Sequence, residues 1–471
     1  MLIFVQIYIF DSKIDFLNLK IGLYFYTVYK FCSKIKQDVF LKNNSISKGE
    51  SMGKLLKKLT AIMLAVLFVI PATGYAAEAK KKPVAEIYSK NSILVDQKTG
   101  RVITEKEPDR QVPLASISKV MTFYVAQDAI KNGEVKRDDL VTINKKMLKV
   151  SGSTMHLKEG EKVRFNELLK GLMIVSANDG AVAIASHVCK GDVDAFVDRM
   201  NAKAKELGMK NTYFINPNGL PIYDWTKKDG DPKQNHSTAR DIATMTKNLL
   251  DDYEEETIAI TDCKLDHDPS RDCNYYNTNP LLHMHSNVDG LKTGYTDLAG
   301  YCLVFTDKMN SDGKSDIDNR MIGVVMGNWC KEDRVRSANA LYNLGENFET
   351  KLMCKKGETV ATGNIDNISD LDNIDLQPKR DCYGVVKNNE DITEKVRYVK
   401  IDATPNEETT VAYLDYIDQY GDVIQSVPLV SSNLEHISLV SRAKLMGNKI
   451  KRLFNMDKTD EKKELPYTVV V

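Results

Sequence analysis

The stretch Pro113-Leu114-Ala115-Ser116-Ile117-Ser118-Lys119 leads into an apolar run, Val120-Met121-Thr122-Phe123-Tyr124-Val125-Ala126. Proline suits a helix entry and Lys131-Asn132-Gly133 has the chemistry of a helix end, so the sequence predicts a helix between them. Ser116 and Lys119 are three residues apart and would share one helix face about a turn apart. A serine becomes a nucleophile when a base takes its proton, and a lysine is such a base when burial or another cation lowers its pKa. The pair is therefore a candidate nucleophile and base.

Taken alone the pair is weak evidence, because the same spacing is common on solvated helix faces. A second stretch, Ser176-Ala177-Asn178, follows an amphipathic segment and precedes a helical run from Ala181 to Val188. The apolar positions of that segment are Phe165, Leu168, Leu169, Leu172 and Met173. This pattern predicts a joint between two helices. Ser176 and Asn178 are candidates for catalysis there, although both residue types, and the neighbouring Asp179, also serve as plain helix caps.

A third stretch, Lys292-Thr293-Gly294, follows the turn residues Asp289-Gly290 and precedes a β-rich run at 300–305, so it is predicted to lie on a strand. The same triplet occurs at Lys98-Thr99-Gly100, between the β-rich runs 92–95 and 101–104. A polar triplet ending in glycine at that place is explained by a hairpin turn, and it precedes Ser116 in the chain. The triplet beginning at Lys292 is therefore the candidate site.

In this order, S-x-x-K, S-x-N and K-T-G form the motif set of class A β-lactamases and penicillin-binding proteins. The separations are 176 − 116 = 60 and 292 − 176 = 116 residues, enough for a helical subdomain and a return to a sheet. From 84 to 350 the chain resembles a low-molecular-mass penicillin-binding protein of the D-alanyl-D-alanine carboxypeptidase type. The supporting stretches are Asn216-Pro217-Asn218-Gly219-Leu220, His236-Ser237-Thr238-Ala239-Arg240-Asp241, Asn277-Thr278-Asn279-Pro280-Leu281-Leu282 and Val288-Asp289-Gly290-Leu291.

The resemblance implies an α+β catalytic domain of the serine β-lactamase and penicillin-binding-protein type, with a five-stranded antiparallel sheet covered by helices. It also implies a reaction. Ser116 would attack the carbonyl between the two terminal D-alanines of a peptidoglycan stem peptide, and water would hydrolyse the acyl-enzyme. Lys119 would be the base, Ser176 would relay the proton, and Asn178 would hold the substrate amide and Lys119.

The same resemblance assigns the substrate-binding residues. Lys292 and Thr293 would meet the terminal carboxylate, Gly294 would permit close backbone approach, and the amides of Ser116 and Tyr295 would form the oxyanion hole. β-Lactam antibiotics would be covalent inhibitors, and the role would lie in cell-wall synthesis and cell shape. No cofactor is implied.

Three alternatives stay open. A class A-like β-lactamase needs a glutamate-positioned water for deacylation, but no Glu-x-x-Leu-Asn pattern lies between Asn178 and Lys292. The β domain that follows the catalytic region also has no place in a β-lactamase. A non-catalytic wall-binding protein is disfavoured by the intact motifs. D,D-endopeptidase activity on cross-links is compatible with the sequence.

Composition and cysteine content limit the kinds of protein and of binding partner that fit this sequence. The chain has 471 residues, 42% of them apolar, which is enough for more than one core, and its 65 basic and 65 acidic residues give no overall charge that favours nucleic acid. Of eight cysteines, Cys32 lies in a doubtful leader, and Cys263 and Cys273 are close enough in sequence to pair. Cys and His spacings match no zinc site, so we predict no metal.

The N-terminal region predicts export. Charged residues interrupt residues 1–51, so no stretch there is long enough to span a membrane. After Met52, lysines precede an apolar run from Leu59 to Ile70 and a small-residue segment ending at Ala77, the pattern of a signal peptide at 52–77. We expect translation to start at Met52, because 48–51 can be encoded by a sequence resembling a ribosome-binding site. The protein would then be exported to the outer face of the cytoplasmic membrane or the cell wall.

The C-terminal region predicts a separate small all-β sandwich at 353–433, with strands at 394–401, 411–417 and 423–430 and a hairpin loop at 418–422. Residues 437–454 predict an amphipathic helix, followed by a polar tail at 455–471. Its apolar face comprises Leu439, Val440, Ala443, Met446, Gly447, Ile450, Leu453 and Phe454. Basic residues flank that face, which favours a peripheral membrane tether; packing on the β domain is the alternative.

Overall fold

The computed structural model describes residues 87–223, 231–309, 317–365, 374–399, 406–432, 434 and 469–470. All of them belong to one compact unit, Lys80–Val471. The predicted leader, the signal peptide at 52–77 and the amphipathic helix at 437–454 lie outside these residues, as does the polar tail apart from Val469–Val470. Within the described ranges, no helix combines the length and apolarity needed to cross a membrane.

Helices and strands are numbered separately, each in chain order. The helices are α1 (Ser118–Lys131), α2 (Phe165–Ile174), α3 (Asn178–Val188), α4 (Val193–Glu206), α5 (Ala239–Thr261), α6 (Leu281–Met284) and α7 (Lys331–Gly345). The strands of the first part of the chain are β1 (Asn91–Asp96), β2 (Val102–Lys106), β3 (Val112–Pro113), β4 (Leu140–Thr142), β5 (Lys162–Arg164), β6 (His236–Ser237), β7 (Leu265–Asp268), β8 (Cys273–Tyr276), β9 (Val288–Thr296), β10 (Gly300–Lys308) and β11 (Arg320–Asn328). Those of the second part are β12 (Phe348–Cys354), β13 (Ala361–Ile365), β14 (Ile374–Pro378), β15 (Cys382–Lys387), β16 (Thr393–Tyr398), β17 (Ala412–Ile417), β18 (Val423–Val430) and β19 (Val469–Val470).

A five-stranded antiparallel sheet, in the order β2-β1-β11-β10-β9, organises the first part. Successive side chains of each strand point to opposite faces of the sheet. Leu303 and Phe305 pack with Leu341 of α7, whereas Val304 packs in the cluster formed with α1 and α5. Both faces are therefore covered by helices, which confirms the predicted α+β catalytic fold, and the β-rich run at 300–305 lies in β10.

The helical layer consists of α1 to α5 on one face of the sheet. Phe165, Leu168, Leu169, Leu172 and Met173 are all buried, as their spacing predicts for one face of α2. The joint after α2 occupies 175–177, which confirms a helix-loop-helix connection. This layer carries the two helical motifs towards the sheet.

The second part forms its own apolar cluster. Its six-stranded sheet has the order β16-β17-β18-β14-β13-β19, and β12 pairs with β15 in a two-stranded ribbon. Leu376, Leu414, Val427 and Leu429 are buried in this cluster. The strands predicted at 411–417 and 423–430 agree with β17 and β18, and that predicted at 394–401 is observed as β16.

Two expectations are wrong in detail. Pro113 does not open a helix: it pairs with His236 across β3 and β6, and the Leu114 amide donates to the Asn235 carbonyl. This pairing keeps the backbone extended, so a 3₁₀ turn (Ala115–Ile117) comes first and α1 begins at Ser118. Cys263 and Cys273 are both free thiols, so the suggested pair is not formed.

Candidate active site

Lys119 lies in the first turn of α1, and its side chain is fully buried. Its Nζ lies 2.7 Å from the Ser116 Oγ, 2.7 Å from the Asn178 Oδ1 and 2.8 Å from the Asn218 carbonyl oxygen. Two of the three motifs thus meet at one amine, as the sequence predicts. The serine itself is half-buried on the 3₁₀ turn, so its hydroxyl remains accessible.

The partners of this amine orient it. A neutral lysine has two N–H groups and one lone pair, and the oxygens of Asn178 and Asn218 can only accept hydrogen bonds. When these two oxygens take both hydrogens, the lone pair is left for the Ser116 hydroxyl, which then donates to Nζ. This is the arrangement that a base needs in order to take the serine proton.

The electrostatic surroundings favour the neutral amine. Burial lowers the pKa of Lys119 well below its usual value, and the charge of Lys292 lowers it further, while Asp179 opposes both effects. A buried cation loses its hydration, and a second cation repels it, so both causes act against the charged form. The neutral amine, which is the form that a base requires, is therefore populated at lower pH than in an exposed lysine.

Asn178 is the first residue of α3 and is held from both sides. Its Nδ2 donates to the Ser151 carbonyl at 2.5 Å, and its backbone amide donates to the Ser153 carbonyl at 2.8 Å. The first contact fixes the amide so that Oδ1 faces Lys119. Because the N-cap of α3 is Ala177 and no side chain caps that helix, the alternative of a mere capping role does not hold for this residue.

Two neighbours of Asn178 complete the joint. Asp179 accepts hydrogen bonds from the amides of Met155 and Leu157, at 2.9 and 3.1 Å, and so anchors the preceding loop. Ser176 is buried in a left-handed conformation, with φ of 66°. Among the hydrogen bonds of the described residues, none joins its hydroxyl to Ser116 or Lys119.

The third motif lies on β9, confirming the predicted strand. Lys292 is buried, its Nζ donates to the Thr293 carbonyl at 3.0 Å, and the Thr293 hydroxyl donates to Thr278 Oγ1 at 2.7 Å. A Cβ on Gly294 would lie 3.2 Å from the backbone nitrogen of Ile117, closer than most such contacts. The absent side chain therefore lets β9 pack directly against the turn that carries Ser116.

Two contributors were not identified from the sequence as parts of the site. Asn218 supplies a backbone carbonyl, which no side-chain motif reveals, although its stretch supports the family resemblance. Arg334, near the start of α7, is 9% exposed, and its Nε has no hydrogen-bond partner in the described part of the chain. Burial, and then the charge of Arg334, lower the pKa of Lys292 to about 7. No motif in the sequence marks this arginine.

The duplicate triplet is separate from this site. Lys98-Thr99-Gly100 forms the turn between β1 and β2, and Gly100 has φ of 75°. The Lys98 Nζ lies 4.5 Å from the centre of the Tyr383 ring. The turn therefore contacts the second part of the chain, which confirms its exclusion from the candidate site.

Comparison with known proteins agrees with this geometry. The family model described as D-alanyl-D-alanine carboxypeptidase matches residues 76–329. D-alanyl-D-alanine carboxypeptidase DacF of Bacillus subtilis is 32% identical over 308 residues, covering 64% of this chain and 74% of the relative. D-alanyl-D-alanine carboxypeptidase DacA of Haemophilus influenzae is 29% identical over 401 residues, covering 83% and 96%.

A solved structure shows the same fold. Penicillin-binding protein 5 from Haemophilus influenzae aligns with a TM-score of 0.62 and 28% identity, covering 74% of this chain and 98% of that protein. The fold, the meeting of the motifs at Lys119 and the family match lead to one assignment. The chain belongs to the D-alanyl-D-alanine carboxypeptidase family of serine-type peptidases.

Proposed function

We propose that this protein is a serine-type D-alanyl-D-alanine carboxypeptidase that trims peptidoglycan stem peptides, with Ser116 as nucleophile and Lys119 as its base. The observation that carries the assignment is the 2.7 Å contact between these two side chains, at an amine whose other partners are pure acceptors. A serine and a lysine on a solvated surface would have neither the burial nor this orientation.

The proposed reaction gives each of these residues a role. The Ser116 oxygen attacks the carbonyl carbon of the penultimate D-alanine while its proton passes to Lys119. The oxyanion is held by the backbone amides of Ser116 and Tyr295, where one donor typically contributes about 3 to 4 kcal/mol. The C–N bond breaks as the leaving amine takes a proton relayed through Ser176, D-alanine leaves, and water hydrolyses the remaining ester.

Selectivity for a chain end comes from charge. An internal peptide bond has no carboxylate beside it, whereas a terminal D-alanine does, and Lys292, Thr293 and Arg334 bring two positive charges and a hydroxyl to that side. The same positive region suits the carboxylate of a β-lactam, which would acylate Ser116 covalently. Protonated Lys292 makes a charge-assisted bond of roughly 1.5 to 3 kcal/mol.

Lys292→Met should therefore weaken reaction with a D-Ala-D-Ala pentapeptide by roughly 10- to 150-fold, and far less with its C-terminal amide. The measurement is kcat/KM for both peptides. In the wild-type protein the preference should fall as pH rises through about 7, because Lys292 then loses its charge. Lys98→Met, in the duplicate triplet, is the matched control and should change neither value. Equal losses for acid and amide would show that Lys292 acts mainly on Lys119.

A single assay tests the proposed function. Purified protein is given a defined pentapeptide, a cross-linked dimer and penicillin, and free D-alanine, cleaved cross-links and hydrolysed penicillin are each measured. We expect D-alanine release from the pentapeptide and a long-lived penicillin adduct. Predominant cleavage of the dimer would indicate an endopeptidase, fast penicillin hydrolysis a β-lactamase, and no turnover of any substrate a wall-binding protein.

We further propose that the protein is exported and held on the outer face of the cytoplasmic membrane. A signal peptide at 52–77 supports export, and the amphipathic segment 437–454 supports a peripheral tether. The second part of the chain, predicted from the sequence to be a small β-sandwich, would then be a spacer between the membrane and Ser116.

Deleting residues 437–471 should move the protein from the membrane fraction to the soluble fraction while leaving activity on soluble peptide intact. A matched pair of substitutions separates the tether from any effect on folding. Ile450→Glu, at the centre of the apolar face, should release the protein, whereas Asn448→Glu, on the opposite face, should not. Retention of the deleted form in the membrane after signal-peptide removal would refute the tether.

A further inference from the structure

Cys354 ends β12 and Cys382 begins β15, and the two are Cα partners in the antiparallel ladder of this ribbon. Residues directly opposite each other in such a ladder have Cα atoms about 4.5 to 5.5 Å apart. A disulfide spans Cα separations of about 4.4 to 6.8 Å. Cross-strand partners also send their side chains to the same face. A bulge between Leu352 and Cys354 lies directly before this pair, and beyond it the two cysteines are again opposite each other, so the ladder places them within reach of a bond.

The side chains of Cys354 and Cys382 are also suitably placed for a bond. Both cysteines are buried, at 3% and 5% exposure, in the same apolar cluster, and both are free thiols in this structure. The Cys382 thiol also contacts the Arg380 carbonyl, and the Tyr416 hydroxyl lies beside Cys354. The two thiols thus share one buried, apolar environment at paired positions of the ribbon.

We propose that Cys354 and Cys382 form a disulfide when the chain folds in the presence of a disulfide oxidant. This site is independent of the proposed catalytic function. It also replaces the pair suggested by sequence proximity: the ladder of β7 and β8 places Cys273 opposite Asp268, so Cys263 and Cys273 are not opposite each other.

The chemistry is ordinary thiol–disulfide exchange. One cysteine thiolate attacks an oxidised disulfide RSSR and releases RSH, and the second thiolate then attacks the mixed disulfide and releases another RSH. Two electrons pass from the cysteine pair to RSSR, and the two thiol protons leave with the products. Burial raises the pKa of both thiols, that of Cys354 to about 11, so exchange in the folded chain is slow and the bond forms during folding.

The bond would act where the two cores are joined. At one end of the ribbon, Phe348 and Val385 pack with the catalytic sheet, and the Arg101 guanidinium donates to the Val385 carbonyl. At the other end, Cys354 and Cys382 lie in the core of the second part. A covalent link there would fix the register of the ribbon and so stabilise the second part against unfolding.

The test refolds the reduced full-length chain in a buffer of oxidised and reduced glutathione, blocks free thiols with iodoacetamide and maps tryptic peptides without reduction. Lys355 and Arg380 provide cleavage sites between the two cysteines, so their linkage gives a joined peptide. We expect that peptide, together with a rise of several degrees in Tm that reduction reverses.

Matched variants identify the pair. Cys354→Ala and Cys382→Ala should each lose both the joined peptide and the oxidant-dependent rise in Tm. A double variant, Cys263→Ala with Cys273→Ala, should keep both. Alkylation of Cys354 and Cys382 in the refolded wild-type chain, or linkage of either to a different cysteine, would overturn the proposal whatever the activity of the protein.

Discussion

Ser116→Ala should lose acylation by both a D-Ala-D-Ala pentapeptide and penicillin, by about 10³-fold or more, because no other atom can form the acyl bond. The expectation follows from the half-buried hydroxyl beside the Lys119 amine. The substitution removes one small polar group from a turn and leaves no buried charge, so Tm should change little. Loss of activity with an unchanged fold is the signature of a nucleophile.

Mass spectrometry after penicillin treatment measures the acylation directly. Ser186→Ala, a buried serine within α3, is the matched control and should retain the adduct. In the wild-type protein the adduct should map to the peptide containing Ser116 and, by fragmentation, to that residue rather than Ser118. An adduct on Ser118 or Ser176, or full acylation of Ser116→Ala, would contradict the assignment.

The sequence predicted the parts of the site that depend on residue type and order. Ser116, Lys119, Asn178 and Lys292 are recognisable because hydroxyl, amine and amide groups recur at fixed separations, and the structure places three of them within 2.7 Å contacts. The central sheet was predictable for a similar reason, since short β-rich runs bounded by turn residues flank the helices. Local pattern therefore located the motifs and the strands, and the family resemblance supplied the fold class.

The remaining parts depend on contacts that leave no local pattern. The Asn218 carbonyl acts through its backbone, and Arg334 reaches Lys292 only because α7 packs on the sheet. Pro113 was placed wrongly because its pairing with His236 is a tertiary contact that overrides its preference for a helix start. Cys263 and Cys273 are close in sequence, but strand register places Cys273 opposite Asp268, which sequence proximity does not reveal.

Lys119→Met should reduce acylation by roughly 10²- to 10⁴-fold, the usual contribution of a positioned base. Methionine is unbranched and fills similar space, but it cannot accept the serine proton. Lys119→Arg should lose a comparable amount, because a guanidinium stays protonated at every accessible pH. Lys131→Met, in the last turn of the same helix and exposed, is the control and should retain wild-type acylation.

The pH profile separates a base from a merely structural lysine. Burial and the charge of Lys292 lower the pKa of Lys119, so the reactive neutral amine becomes populated at a pH well below the ordinary lysine value. For the C-terminal amide peptide, whose reaction does not depend on the charge of Lys292, the wild-type acylation rate should accordingly rise with pH through that lowered pKa and then level off. In Lys119→Met this rise should disappear, because the residual reaction no longer requires that deprotonation. If the variant kept both the rise and a rate within about tenfold of wild type, another group would be the base, since a positioned base contributes more than that.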